Sequence, residues 1–407
     1  MRTAVYLTVL AAAFWPARAN AQSLNLTESD ALSRLSVDSP RARAARAAVD
    51  VARADVLNAA RWPNPRVIWD RESVAGVTET MVMVSQPLPI TGRRGFDIKA
   101  ASETASASSS RADDEVRRLR ADLRLAFADL VAAQAREQEL TAAATRLRHL
   151  AEVLAKREAA GDAAGFDRLR AEREVLDIDT DRIVAATDRR RAQAVLASFF
   201  ADVADPTGLV AIGGTPSPAA PPAVDALMEQ AESTRGELLA LRREIDAARF
   251  AERAAERRRI PEPEIVAGTK SSTVLGGHVG SVVTAIATVP LFDRSRPERA
   301  LAVARGAQAE ARVNALRVVL RGQIAALRAA VIERREAAER YRAEAVSGAD
   351  HIERIAQVSY DAGERSILEL LDAYRLGSSA RVRLATLDAA IRQAEIELEF
   401  ASGWEMQ

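Results

Sequence analysis

The sequence predicts a mainly α chain with a small β part, built from long antiparallel coiled-coil helical hairpins and two β-hairpins. Three observations predict it. Apolar residues fill 48% of the 407 positions, yet aromatics fill only 4% and charged residues 28%, a mixture suited to long, closely packed helices. Leucine, valine and alanine recur at heptad spacing over long stretches. The whole pattern is also written twice, with two short alternating runs in each copy.

In chain order, the first segment reads as an export signal. "MRTAVYLTVLAAAFWPARANA" carries Arg2, an apolar run from Ala4 to Trp15, and Ala19-Asn20-Ala21 ahead of Gln22, the A-x-A pattern of a cleavage site. Residues 1–21 are therefore expected to be removed after Ala21, taking Arg2 and Arg18 from a formally neutral chain. The chain has no cysteine, so an exported product is held by packing or assembly. No later stretch has eighteen uninterrupted apolar residues, and entry into a membrane would have to use strands. Charge balance without a basic block argues against nucleic acid as a partner.

Residues 22–203 form a first repeat, 204–223 a Pro/Gly-rich connector, and 224–407 a second repeat. Pro63-Asn64-Pro65 answers Pro261-Glu262-Pro263 at an offset of 198, Pro87 answers Pro290 at 203, and Gly161 answers Gly363 at 202. Each repeat opens with a helix, "RARAARAAVDVARADVLNAARW" and "GELLALRREIDAARFAERAAERRR", which the proline pair stops. Two extended runs follow, "RVIWD" and "TMVMVS" in the first repeat, "EIVAG" and "GSVVTAIATV" in the second. Polar, Gly-containing loops separate them. Then comes a very long helix, a Gly-containing turn and a returning helix. Val116, Leu123 and Leu130 are seven apart, beside a second row of Ala126, Ala133, Leu140, Leu147 and Leu154. The second repeat has Leu316, Leu320, Ile324, Leu327 and Val331, then Leu384, Leu387, Ile391, Ala394 and Leu398. Such rows make seams between antiparallel helices.

Two hairpins supply four strands per chain. Four strands cannot close a barrel that spans an outer membrane, where about eight is the lower limit, and open edges are not tolerated in lipid. Several chains sharing one barrel would solve this. The alternation itself fits equally well two hairpins packed on a soluble core. No thiol, nucleophile elbow, phosphate loop or H-E-x-x-H motif is present, which points away from an enzyme and from any cofactor.

At the junctions the residues resemble a known family, the TolC-like outer-membrane efflux factors. "SQPLPITGRRG" and "VPLFDRSRPERA" resemble the strand-to-helix junctions of its heavy-metal (cobalt–zinc–cadmium) branch, and "YDAGERSILELLDAYR" is similar to its helical-tip signature. The resemblance implies a homotrimer whose twelve shared strands form an outer-membrane barrel above a periplasmic α-helical tunnel. It implies two partners, a periplasmic adaptor and an inner-membrane RND pump, and a location in the outer membrane of a Gram-negative cell. Pro87, Pro89, Arg93, Arg94 and Pro290 would stand at the barrel–helix junctions, next to outer-membrane lipid. Arg365, Glu369 and Asp372, joined by Asp167 of the first repeat, would form the periplasmic constriction. Gly161, Phe166, Gly363, Ser366 and Leu368 would form the adaptor-contact tips.

His149 and His351 differ by 202 and hold matching places before the two tip glycines. They lack a nearby ligand set, so no metal site is assigned to them. The reading is a passive exit duct, with divalent heavy-metal cations as cargo. The alternatives are a duct for drugs or small organic compounds, type I secretion, a periplasmic adaptor, or a coiled-coil scaffold.

Overall fold

A computed structural model of the chain describes residues 24–35, 39–161, 165–200, 203, 205–214, 216–217 and 219–405. The expected signal segment lies outside the described residues. Strand β1 (Leu24–Leu26) leads into α1 (Glu28–Arg34) and α2 (Pro40–Ala60). The first hairpin follows as β2 (Arg66–Val74) and β3 (Val77–Pro87). Helices α3 (Arg93–Ala159) and α4 (Gly165–Ala197) make the first long helical hairpin. A short strand, β4 (Leu209–Ala211), and α5 (Val224–Thr234) lead to α6 (Gly236–Arg257). The second hairpin is β5 (Pro263–Ser272) and β6 (His278–Ala287). Then come α7 (Arg296–Arg340), a π-helical turn over Tyr341–Val346, α8 (Ser347–Asp361) and α9 (Ile367–Ser402). Among the described residues no helix is long and apolar enough to cross a membrane.

Four strands pair in one antiparallel sheet of order β2-β3-β5-β6. They run further than the alternating runs suggested. The loop expected between β2 and β3 shrinks to Ala75-Gly76, both at positive φ, the backbone a tight hairpin turn requires. Serine and threonine carry the ladder outward, with Ser73 opposite Thr78 and Arg71 opposite Thr80. The two repeats meet where β3 pairs with β5, Met83 opposite Gly268. A Cβ on Gly268 would stand 2.1 Å from the Val82 carbonyl oxygen, so only glycine lets the two hairpins approach this closely.

The expectation of four strands per chain is corrected to six among the described residues. β1 and β4 pair in parallel, Leu24 opposite Leu209. Three residues are too few to register as alternation, and the pair is held by burial of Leu26 and Leu209 against Leu123, Phe127 and Leu130 of α3. Helix α1 was also missed, although "TESD" is a legible start signal. The Thr27 side chain accepts from the Asp30 N–H while Asp30 accepts from the Thr27 N–H, a reciprocal cap.

The heptad rows become cores. Leu123, Ala126 and Leu130 pack with Leu196 of α4, and Leu147 and Leu154 pack with Ile367, Leu370 and Leu371 of α9. Leu320, Ile324 and Val331 pack with Ala394 and Leu398. Near the sheet the helices lie in the order α2-α3-α6-α7, the same order as the strands they adjoin in sequence. Arg41 bridges α2 to Glu115 and Asp122 of α3, Arg111 bridges α3 to Glu237 and Glu244 of α6, and Arg299 bridges α7 to Glu252 and Glu256 of α6. Toward the far end the order becomes α4-α3-α9-α8.

A buried ionic chain ties the middle together. Glu395 of α9 is fully buried and accepts from Arg335 of α7 at 2.6 Å and from Arg392 at 3.1 Å. Arg392 also donates to Glu28 of α1 at 2.8 Å, and Arg124 of α3 bridges Glu28 to Glu399. Glu28 thus joins an α3 arginine of the first repeat to an α9 arginine of the second. Burial pushes its carboxyl up, but hydrogen bonds and attraction from Arg392 and Arg124 outweigh this and hold it below its ordinary value of 4.5. A carboxylate held low contributes stability above its unfolded value and loses it as pH falls through the folded value. Glu28→Gln should therefore destabilise the fold by about 1–3 kcal/mol at neutral pH. Denaturant titrations of both proteins should show the gap closing once the pH drops below the ordinary carboxylate range.

Candidate functional site

The strand register sorts the sheet into two unlike faces. One carries Val67, Trp69, Val82, Val84, Ala267, Val283, Ala285 and Ala287, related by direct cross-strand pairing. These side chains are exposed; Val67, Trp69 and Val283 keep 71%, 65% and 76% of their surface in the open. The opposite face carries Arg66, Asp70, Glu72, Glu79, Glu264 and Lys270, with Lys270 paired to Glu79 at 2.6 Å. Its side chains Ile68, Met81, Met83, Val266 and Lys270 are partly or fully buried, as on the inside of a curved sheet. The face of Val67, Trp69 and Val283 is thus apolar and open, and the charges gather on the opposite face.

The junction residues divide by repeat. Pro87 closes β3, and Pro89 and Gly92 lead into α3, where Gly92 is the left-handed N-cap. Arg93 stands 3.8 Å from Glu262 and 3.7 Å from Asp97. Arg94 donates to the Ala60 carbonyl at the end of α2 and covers Trp62 at 5.2 Å. The first junction is thereby tied to α2 and to the second hairpin's entry. After Pro290 the second junction is open instead: Leu291 is 63% exposed and Phe292 fully exposed.

At the far end, Gly161 and Gly363 both adopt positive φ, +82° and +74°, which lets each helix stop and reverse. Phe166 and Leu368 project from the first turns of α4 and α9, 65% and 42% exposed. Ser366 is the N-cap of α9, and Glu369 completes its capping box, accepting from the Ser366 N–H at 3.3 Å. The other Glu369 oxygen accepts from Arg365 at 3.1 Å. Asp372 is exposed one turn on. Asp167 holds the third position of α4, as Glu369 does of α9. Below them Arg375 of α9 forks onto Glu174 of α4, both contacts at 2.9 Å. His149 and His351 are exposed, and among the described residues no group of three His, Cys, Asp or Glu side chains is disposed to hold a metal. Sequence reasoning missed the Arg375–Glu174 fork and the buried ionic chain, because pairings between helices that are distant in sequence leave no local spacing signal.

The outer membrane efflux protein family matches residues 227–404, a span that runs from α5 through the second hairpin to the end of α9. The architecture is shared over nearly the whole chain. A membrane protein from Pseudomonas aeruginosa superposes with a TM-score of 0.77, at 20% identity, covering 92% of this chain and 93% of that one. The outer membrane protein VceC from Vibrio cholerae superposes at 0.74, with 16% identity, 93% of this chain and 97% of its own. The second half of the chain thus matches the outer membrane efflux protein family, and the whole chain shares the fold of these solved proteins. The chain is also similar to the cobalt-zinc-cadmium resistance protein CzcC of Cupriavidus metallidurans, 23% identical over 336 residues, 82% of this chain and 80% of that protein.

The geometry at Gly363 has a direct consequence. No atom stands within 4 Å of a Cβ at Gly363, so a side chain there meets no clash and only the backbone conformation opposes it. Gly363→Ala should cost about 1 kcal/mol, with far-UV helicity unchanged. Gly363→Val should cost more, since a branched side chain is a poorer fit to positive φ. Thermal melts of the two variants test the ranking.

Proposed function

We propose that three copies of this chain form one exit duct, with a twelve-stranded barrel in the outer membrane and a helical tunnel below it. The supporting observation is that the chain is an open row at every level. The sheet ends at β2 and β6, the helices near it end at α2 and α7, and the far helices end at α4 and α8. The end elements carry exposed apolar side chains: Val51 and Leu57 on α2, Val318 and Val319 on α7, Leu176 and Ile183 on α4, Ile355 and Val358 on α8. A head-to-tail arrangement of identical copies pairs each open edge with its opposite and closes as a ring. The duplicated units 22–203 and 224–407 would each contribute a third of a half-ring.

In this reading a periplasmic adaptor docks on the tips around Gly161, Phe166, Gly363, Ser366 and Leu368, and an inner-membrane RND pump supplies the energy. Divalent heavy-metal cations are the favoured cargo, on the likeness to the cobalt-zinc-cadmium resistance protein. Asp372, Glu369 and Asp167 ring the periplasmic end with carboxylates, which favour cations over anions.

Detergent-extracted protein should run as a homotrimer by light scattering, and a stable monomer with full β content would sink the proposal. In planar bilayers the trimer should conduct cations preferentially and be blocked from the periplasmic side by trivalent cations. Asp372→Asn should weaken block and selectivity more than Glu369→Gln, because Glu369 is already engaged with Arg365 and the Ser366 N–H. Unchanged block in the double variant would remove both acids from the constriction.

A further inference from the structure

We infer that the outer half of the sheet's convex face binds a phosphorylated glycolipid of the outer leaflet, with its phosphate on Arg71 and its sugar hydroxyls against Thr80 and Ser271. The inference rests on the barrel reading above, and the experiment below separates the two.

Cross-strand partners lay this face out in rows. Val67, Val84, Ala267 and Val283 form one row; the next outward is Trp69, Val82, Thr269 and Ser281; the next is Arg71, Thr80, Ser271 and Val279. Ser73 and Thr78 follow, their hydroxyls 3.2 Å apart. The face therefore changes from aliphatic to hydroxyl-rich within two rows. Arg71 is the single charged residue among these paired positions. It is exposed and makes no hydrogen bond or ion pair with any described residue, whereas Lys270 on the concave face is neutralised by Glu79.

The height of the change decides what meets it. Rows on one face are about 7 Å apart along a strand. From the row of Ala287 to that of Arg71 there are four steps, about 27 Å along the strand and about 20 Å after a tilt near 40°. That is close to the roughly 25 Å apolar band of such barrels, so Arg71 stands at the outer boundary. Trp69, one row inside, is the residue type enriched at that boundary. A lipid-facing arginine costs about 2–4 kcal/mol at the midplane but about 0–1 near the interface. There its planar guanidinium suits a phosphate bidentately. The neighbouring hydroxyls are short and both donate and accept, which fits a sugar headgroup better than choline or ethanolamine.

The test uses the full-length trimer in detergent, with binding read by native mass spectrometry. The probes are lipid A, lipid A stripped of its phosphates, and phosphatidylglycerol, which has phosphate without sugar. Wild type should bind lipid A about tenfold more tightly than either comparison. Arg71→Gln should lose about tenfold for lipid A alone, and Arg71→Lys should fall between. Single-channel conductance should be the same in all three proteins, because Arg71 faces away from the lumen. Equal lipid A binding by wild type and Arg71→Gln overturns the inference, as does equal binding of the three lipids by wild type. Either result leaves the duct reading standing if the trimer still inserts and conducts. A protein that forms no inserted trimer would remove the duct reading and this inference together.

Discussion

Unpaired backbone at the edges of a four-stranded sheet is the constraint on which the rest of the structure depends. β2 and β6 each present one side of N–H and C=O groups with no strand partner among the described residues. In water such edges invite uncontrolled association, and in lipid they are costly at every residue. A soluble protein would blunt them with charge or cover them with a helix. Here the face of Val67, Val84 and Val283 beside them is aliphatic and exposed, which favours the proposed partner that continues the same wall. The helix order α2-α3-α6-α7 repeats the strand order, and the open ends of the helical rows fall at the same sides of the chain. In the proposed assembly one rotation would therefore satisfy backbone and side chains at once, with no separate solution for each layer.

The helical part meets a different demand. Long helices with few aromatics bury little surface per residue, and alanine contributes close approach more than transfer energy. The chain compensates with arginine–carboxylate pairs between neighbouring helices, most of them half exposed and individually weak. The exception is the chain from Arg335 through Glu395, Arg392 and Glu28 to Arg124. Burial there makes an unpaired member expensive, so the network selects one register of α1, α3, α7 and α9 over its neighbours. It also uses the segment around Glu28 to join the two repeats at mid-height, while the β3–β5 ladder joins them at the sheet.

The sequence made the periodic features legible. Heptad leucines such as Leu123, Leu130 and Leu154 are buried where the spacing implied, and the prolines at 63, 87, 261 and 290 bracket the strands. The outer halves of the strands were not legible, because Ser73, Thr78 and Ser271 read as loop residues until a ladder partner is known. β1 and β4 are too short to carry a period. The assignment of convex and concave faces also needed the register: Met81 and Met83 alternate with Val82 and Val84, and nothing in the alternation says which pair faces lipid. The constriction proposed at Glu369 and Asp372 rests on resemblance to a family alone, since an exposed acidic turn is common on helices.

The two acids at that turn are not equivalent, and the reason is local. Glu369 is the third residue of α9, where a carboxylate caps the helix and meets its positive end. Its two oxygens are held by the Ser366 N–H and by Arg365. Moving that side chain toward a neighbour would expose the first turn of α9, and this turn positions Ile367 and Leu370 in the core against Leu147 and Leu154. Asp372 lies one turn deeper with no such duty, on the side of α9 where Arg375 grips Glu174 of α4. A change in the width of the tip therefore separates into two processes. Rotation of α9 as a unit would carry Asp372 along with its cap intact and work against the Arg375–Glu174 fork. Fraying of the turn would release Glu369 first and weaken the packing of Ile367. The first preserves the capping box and the second destroys it, so in the proposed duct the two processes would be told apart by whether Glu369 keeps its hold on the Ser366 N–H.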